Sequence, residues 1–238
     1  MKNIETNLIK FPIDNMDQIL YNLNMSVRQI KKSYISCTGY FASYKNHKQM
    51  MFESVLERDF FMILEFDKRV IKYEAQPLTI KYEYTDGSIR KYTPDVLVTY
   101  TSGLQRLYEV KYQNELINNI ELKEKIQLLK NHIYEENKLE FELFTDEELG
   151  NPYMDNLKFL YFYAFMKEDS NMLNKINNIL NNIEKTTIKD LLKKISNNRS
   201  EHLLILPHIW KYIFLHTDRV LNLYDKLTMN TIIEKKIC

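Results

Sequence analysis

The sequence predicts an α/β protein, in which a mixed β-sheet flanked by helices is followed by a small, mainly helical domain. Three features carry this prediction. Apolar residues first recur at helical spacing over residues 51–66. Runs of alternating apolar residues then follow, and the turn sequences Asp86-Gly87 and Ser102-Gly103 separate them. A long amphipathic run and one more alternating run come next, and this order places a crossover helix against a mixed sheet.

The elements of the first part follow in chain order. The helix over residues 51–66 places Glu53 and Glu57, four residues apart, on one face. Residues 77–84 alternate as the first strand, and the apolar run Val96–Val98 belongs to the second. The remaining predicted elements are a strand over residues 104–111, a long helix over 115–136 and a strand over 138–144.

A polar stretch over residues 145–152 predicts a domain boundary, because Gly150 and Pro152 interrupt regular structure there. It divides the chain into residues 1–150 and 151–238. The second part predicts helices over 154–167, 171–183, 187–195 and 201–216, the last kinked near Pro207, and then a hairpin over 218–233. Small helices followed by a hairpin predict a winged-helix-like domain that binds DNA or a protein partner.

The composition excludes several classes of protein. With 45% apolar residues and a net charge of +1, the chain is not of the disordered type. It contains no apolar run of about 18 residues and no signal-peptide pattern, so we expect a cytoplasmic protein without a membrane span. Cys37 and Cys238 cannot build a disulfide framework, and no glycine-rich phosphate loop or zinc-ligand spacing occurs.

The charges are unevenly distributed along the chain. Residues 1–52 carry a net charge of +4, residues 53–150 carry −7 and residues 151–238 carry +4. An acidic centre between basic flanks is expected if the centre holds a cation and the flanks hold a polyanion. An ordinary solvated surface would give the same counts.

One group of residues carries the chemistry. Asp95 begins one apolar strand, and Glu109, Val110 and Lys111 close the next. Neighbouring ends of antiparallel strands bring Asp95 beside Glu109, and alternation puts Glu109 and Lys111 on one face. Two carboxylates and the Val110 carbonyl suit Mg²⁺ or Mn²⁺. Glu57 completes the acidic set, with Glu53 as the alternative.

These residues predict a metal-dependent nuclease. Phosphodiester hydrolysis requires a metal that polarises a phosphate oxygen and activates water. The Lys111 ammonium is placed to orient that water or to stabilise the negative charge of the transition state. A chance match or a surface salt bridge is the alternative explanation, since Pro-Asp followed by Glu-x-Lys is a short pattern.

The arrangement resembles that of the PD-(D/E)xK nucleases, which have the restriction-endonuclease-like fold. The sequence is also similar to the TnsA family of transposon endonucleases over roughly residues 26–150. The similarity rests on TGYFASYKNHKQMMFESVLERDFFMILEFD at 38–67, YEAQP at 73–77, YTPDVLV at 92–98 and YEVK at 108–111.

This resemblance implies a function and a set of partners. TnsA-type proteins cut the 5′ strands of double-stranded DNA at transposon ends, beside a DDE-type transposase subunit and under an AAA+ ATPase regulator. It implies Glu57, Asp95 and Glu109 as acidic ligands and Lys111 as the catalytic lysine, with Gln76 as possible support. Alternatives are a catalytically silent adaptor that recruits the ATPase, and a stand-alone restriction or repair nuclease.

Several other residues have two interpretations. Ser43 and Lys45 either contact a phosphate or lie in a solvated turn. Trp210 is expected in the core of the second domain rather than on a base-stacking surface. A lysine cluster either contacts DNA or the ATPase or is a solvated helix face, and it consists of Lys185, Lys189, Lys193 and Lys194.

Overall fold

The structure is a computed structural model that describes residues 37–216 and 221–234, all within one compact unit. The strands of these residues are β1 (Gly39–Ser43), β2 (Lys48–Phe52), β3 (Val70–Ala75), β4 (Ile80–Glu83), β5 (Ile89–Tyr92), β6 (Val96–Tyr100), β7 (Gln105–Val110), β8 (Glu140–Phe144), β9 (Lys185–Thr187) and β10 (Ile232–Glu234). Their α-helices are α1 (Val55–Phe66), α2 (Gln113–Asn118), α3 (Ile120–Asn137), α4 (Tyr153–Tyr161), α5 (Ser170–Asn181), α6 (Ile188–Ile195) and α7 (His202–Leu215).

The central sheet has four strands in the order β3-β6-β7-β8. β6 pairs antiparallel with both β3 and β7, whereas β7 and β8 are parallel. The chain joins the parallel pair through α2 and α3, because parallel neighbours need a long crossover connection. The predicted mixed sheet flanked by helices is therefore confirmed.

The first predicted strand does not join this sheet. β4 pairs with β5 alone, in a two-stranded hairpin that turns at Asp86-Gly87 as the sequence predicts. Gly87 has a φ of +78°, a conformation that glycine adopts without steric cost. β3, which the sequence analysis did not predict, takes the place beside β6.

The predicted helix over residues 51–66 starts four residues later. Lys48–Phe52 pairs with Gly39–Ser43 as a strand, and Ser54 caps the helix by accepting a hydrogen bond from the Glu57 amide at 3.0 Å. Glu53 therefore precedes the helix, and the prediction that Glu53 and Glu57 share a helix face is wrong.

Two other predictions need correction. The long helix over 115–136 is divided at Asn119, whose side chain caps α3 through the Leu122 amide at 2.9 Å. The hairpin over 218–233 is wrong, because residues 221–231 contain no strand and Ile232–Glu234 pairs with Lys185–Thr187. Residues 217–220 lie outside the described part of the chain. The winged-helix description stays a prediction.

Apolar clusters cover both faces of the sheet. α1 packs on one face, where Phe60 lies 4.4 Å from Phe144 between ring centroids. The β4–β5 hairpin and α3 pack on the other face, around Leu107. The larger cluster also contains Leu157 and Trp210, so apolar packing is continuous across the predicted boundary. Trp210 is buried, as predicted, and the division into two domains stays a prediction. Within the described ranges, no helix has the length and apolar character needed to cross a bilayer.

Candidate active site

The pairing of β6 with β7 brings the predicted site residues together. Val96 pairs with Tyr108, so the next position along each strand places Asp95 beside Glu109. The Val110 amide donates a hydrogen bond to Asp95 Oδ2 at 2.8 Å, which fixes the carboxylate at the strand end. The antiparallel geometry expected from the sequence is therefore present.

The Lys111 ammonium lies among three oxygens. Its Nζ is 2.9 Å from Glu109 Oε1, 3.2 Å from the Val110 carbonyl oxygen and 3.5 Å from Asp95 Oδ2. We call these three oxygens the oxygen triad. They are the groups of β6 and β7 that the sequence predicts as metal ligands, and here they surround one positive charge.

The site lies at the surface of the protein without being fully exposed. The side chain of Lys111 is 27% exposed, that of Asp95 is 19% exposed and that of Glu109 is 7% exposed. A carboxylate as buried as that of Glu109 requires charged or hydrogen-bonding partners. About a quarter of the Lys111 side chain remains exposed to solvent.

Burial and charge act together on the ionisable groups. Burial and the neighbouring Glu109 charge raise the pKa of Asp95 to about 6, although Lys111 opposes this change. Burial lowers the pKa of Lys111, but the charges of Glu109 and Asp95 outweigh burial, so its pKa is raised overall. Lys111 is therefore a stable cation at neutral pH.

The Glu57 carboxylate has a different environment. Its Oε2 accepts a hydrogen bond from the Glu53 amide at 2.9 Å, which closes the first turn of α1. Burial, together with the charge of Asp95, raises the pKa of Glu57. Among the described residues, no three His, Cys, Asp or Glu side chains lie close enough to hold a metal ion. Glu57 as a ligand stays a prediction.

Gln76 connects this turn to Asp95, the residue that immediately precedes β6. The backbone N–H of Gln76 donates a hydrogen bond to the Asp95 carbonyl oxygen at 2.9 Å. The side-chain Nε2 of Gln76 donates to Glu53 Oε1, also at 2.9 Å. The Glu53 carboxylate therefore binds Gln76. Gln76 has a φ of +45°, in the left-handed region that side chains other than glycine rarely adopt.

One comparison with known proteins matches part of the chain. Residues 67–146, about a third of the chain, match the model of a family described as TnsA-like endonuclease N terminal. The match supports the TnsA-type resemblance found in the sequence, over this part of the chain. The matched residues include Gln76, Asp95, Glu109 and Lys111, whereas Glu57 precedes them. No curated protein matches the chain.

The matched region also contains a site residue that its sequence pattern does not reveal. The Tyr92 hydroxyl donates a hydrogen bond to Glu109 Oε2. Burial and the charge of Glu109 raise the pKa of Tyr92 well above its ordinary value, so the hydroxyl keeps its proton. In the sequence, Tyr92 is one apolar residue of a predicted strand region. Its position three residues before Asp95 is the one sequence signal that places it near the site.

Ser43 is buried, and Lys45 is partly buried in the turn that follows it. Ser43 Oγ donates to Glu65 Oε1 at 2.5 Å, and Tyr73 donates to the same oxygen at 2.7 Å. Lys45 Nζ donates to the carbonyl oxygens of Asp67 and Val70, beyond the end of α1. Ser43 is therefore not part of a solvated turn, and contact of either side chain with a phosphate stays a prediction.

The predicted lysine cluster is partly neutralised. Lys185 forms an ion pair with Glu234, and Lys193 lies 3.1 Å from Asp190. Both pairs are largely exposed, as on a solvated surface. Contact of this cluster with DNA or a partner protein stays a prediction.

Proposed function

We propose that this protein is a metal-dependent endodeoxyribonuclease that hydrolyses the 5′ strands at transposon ends during cut-and-paste transposition. The TnsA-like domain supports nuclease activity in general. The observation that carries the proposal is the oxygen triad of Asp95, Glu109 and Val110 around the Lys111 ammonium within that domain.

The chemistry of the oxygen triad fits a magnesium ion. Mg²⁺ binds one or two carboxylates and keeps several water molecules, and two carboxylates and a carbonyl match that preference. Asp95, Glu109 and the Val110 carbonyl would hold the ion, and Glu57 is the further ligand that the family resemblance implies. When bound, the ion would polarise a phosphate oxygen and make water a stronger nucleophile; Mn²⁺ has similar ligand preferences.

The side chains of the chain itself have distinct tasks in this proposal. The Lys111 ammonium is charged, and its side chain is partly exposed; we assign it the task of stabilising the charge that develops on the phosphate group during hydrolysis. The Val110 amide fixes Asp95 Oδ2, which keeps one carboxylate oriented before the substrate arrives. An arrangement that is fixed in advance lowers the cost of reaching the transition state.

The proposed partners follow from the family resemblance. A DDE-type transposase subunit would cut and join the 3′ strands, and an AAA+ ATPase would regulate both proteins. Double-stranded DNA at the transposon ends is the proposed substrate, and the residues after 150 are the proposed surface for partner or DNA binding.

A strand-resolved cleavage assay tests this function. The full chain, with its transposase, is incubated with end-labelled transposon-end DNA and Mg²⁺ or Mn²⁺, and we expect nicks in the 5′ strands. Asp95→Ala and Lys111→Ala should remove these nicks, whereas Glu115→Ala, which changes an exposed acid outside the site, should retain them. If the complete mixture produces no 5′ nicks, or if both site variants cut like the wild type, the proposal is wrong. Equal cutting of unrelated DNA without the transposase would favour a stand-alone nuclease.

A further inference from the structure

Tyr92 is held rigidly beside the proposed active site. It ends β5 and is buried, and its ring packs edge-on against Phe141 of β8 with 6.0 Å between centroids. On another side, Lys125 Nζ of α3 lies 5.2 Å from the ring centroid. The hairpin, the central sheet and α3 thus fix the direction in which the Tyr92 hydroxyl points.

This hydroxyl divides the two oxygens of the Glu109 carboxylate between different partners. Oε2 accepts the hydrogen bond from Tyr92, and Oε1 lies 2.9 Å from Lys111 Nζ. A carboxylate with only one partner could turn about its last bond. Because Tyr92 is fixed by packing, its hydrogen bond holds Oε1 in the oxygen triad.

We infer that Tyr92 is a positioning residue, which acts through Glu109 and keeps Oε1 directed into the oxygen triad, toward a cation bound there. The inference rests on the proposed function, in which that cation is a divalent metal ion. Tyr92 does not touch the metal or the DNA in this scheme. Its role is to reduce the freedom of one ligand, as hydrogen-bonded partners of metal ligands commonly do.

The Tyr92→Phe substitution isolates the hydroxyl. It keeps the ring that packs against Phe141 and Lys125, and it removes only the donor to Glu109. Loss of such a partner lowers metal affinity or activity by about 10- to 100-fold in known metal sites. We expect a decrease of this size both in Mn²⁺ affinity and in the rate of 5′-strand cleavage at limiting Mn²⁺.

Tyr82→Phe is the matched control. Tyr82 is also a buried tyrosine of the β4–β5 hairpin and belongs to the same apolar cluster as Tyr92. Its ring approaches His132, with 6.4 Å between centroids, rather than Glu109. We expect Tyr82→Phe to bind Mn²⁺ and to cut DNA like the wild type.

Calorimetric titration of Mn²⁺ into the full chain is the measurement, supported by urea unfolding in EDTA to compare stabilities. A double-substitution cycle separates positioning from stability. Adding Tyr92→Phe to a Glu109→Gln chain should have little further effect on Mn²⁺ affinity, because the ligand that Tyr92 positions has already been altered.

The outcomes are distinguishable. If the wild type binds Mn²⁺ and cuts DNA, but Tyr92→Phe does both equally well, the inference is wrong and the proposed function stands. If Tyr92→Phe lowers Mn²⁺ affinity equally with and without Glu109→Gln, Tyr92 acts through stability alone and the inference is also wrong. A wild type that neither binds Mn²⁺ nor cuts DNA would overturn the proposed function and this inference together.

Discussion

The Asp95→Asn substitution should stabilise the metal-free protein while removing its activity. Burial and the Glu109 charge raise the pKa of Asp95 to about 6, from an ordinary value of 3.8. The folded state therefore binds the Asp95 proton more tightly than the unfolded state does. As the pH rises from about 4 to 6, the unfolded chain releases this proton first, so the free energy of unfolding falls.

The size of the effect follows from this difference in pKa. The pKa of Asp95 is about two pH units above its ordinary value, and each unit corresponds to about 1.4 kcal/mol. Ionisation of Asp95 therefore lowers the free energy of unfolding by up to about 3 kcal/mol. Asparagine keeps an oxygen that can accept the Val110 hydrogen bond, and it carries no charge. We therefore expect Asp95→Asn to raise the free energy of unfolding by about 1–3 kcal/mol at pH 8. The gain should fade between about pH 6 and pH 4 as Asp95 becomes protonated.

Urea unfolding in EDTA, followed at several pH values between 4 and 8, measures this difference. Glu115→Gln is the control, since it neutralises an exposed carboxylate outside the site and should change stability little at any pH. The reasoning is refuted if Asp95→Asn is no more stable than the wild type at pH 8, or if its gain is the same at all pH values. In the cleavage assay the variant should be inactive, which would make Asp95 a residue retained at the expense of stability.

Three further predictions concern Lys111, the first turn of α1 and the buried Glu65 carboxylate. Lys111→Met should lower the free energy of unfolding of the metal-free protein by about 1–3 kcal/mol, because two carboxylates lose their cation. Mn²⁺ should then raise the melting temperature of the variant more than that of the wild type. An equal rise in both proteins would contradict the prediction. Glu57→Gln should slow cleavage by about tenfold or more if Glu57 is a ligand. Its control, Ser54→Ala, should lower the free energy of unfolding in urea by about 1 kcal/mol and leave cleavage unchanged. If Glu57→Gln cuts DNA at the wild-type rate, Glu57 is not part of the site. Ser43→Ala should lower the free energy of unfolding by about 1–3 kcal/mol, since the buried Glu65 carboxylate loses a donor; unchanged stability would contradict a structural role for this hydrogen bond.

The sequence predicts the pairing of β6 with β7 because its signals are local. Alternation, the Ser102-Gly103 turn and the apolar run after Pro94 are read within about 20 residues, and they determine both register and face. The position of Asp95 beside Glu109 follows directly from them.

The start of α1 was predicted less well for a physical reason. Phe52 lies three residues before Val55 and four before Leu56, so its spacing fits a helix that continues backwards from Val55, yet it pairs with Gly39 as part of β2. Only the partner strand, which begins at Gly39, decides between the two. Long-range pairing of this kind leaves little trace in a single sequence.

Hydrogen-bond partners at the site were beyond prediction for the same reason. The Tyr92 hydroxyl reaches Glu109 because the β4–β5 hairpin packs on the central sheet, and the sequence does not specify this packing. The Glu57 carboxylate closes a turn that starts at Glu53, although the sequence places both on one helix face. Residue type and spacing predicted the candidate ligands, but not the direction in which each side chain points.

The backbone of Gln76 connects these separate parts of the site. A left-handed conformation at a residue other than glycine costs about 1–3 kcal/mol and persists only where surrounding contacts enforce it. At Gln76 these contacts are the Asp95 carbonyl oxygen and the Glu53 carboxylate. Glu53 in turn donates its amide hydrogen to the Glu57 carboxylate. This chain of hydrogen bonds ties the first turn of α1 to the strand end that carries Asp95. It therefore links the Glu57 turn to the oxygen triad, and it provides a structural reason for a glutamine at position 76, directly before Pro77.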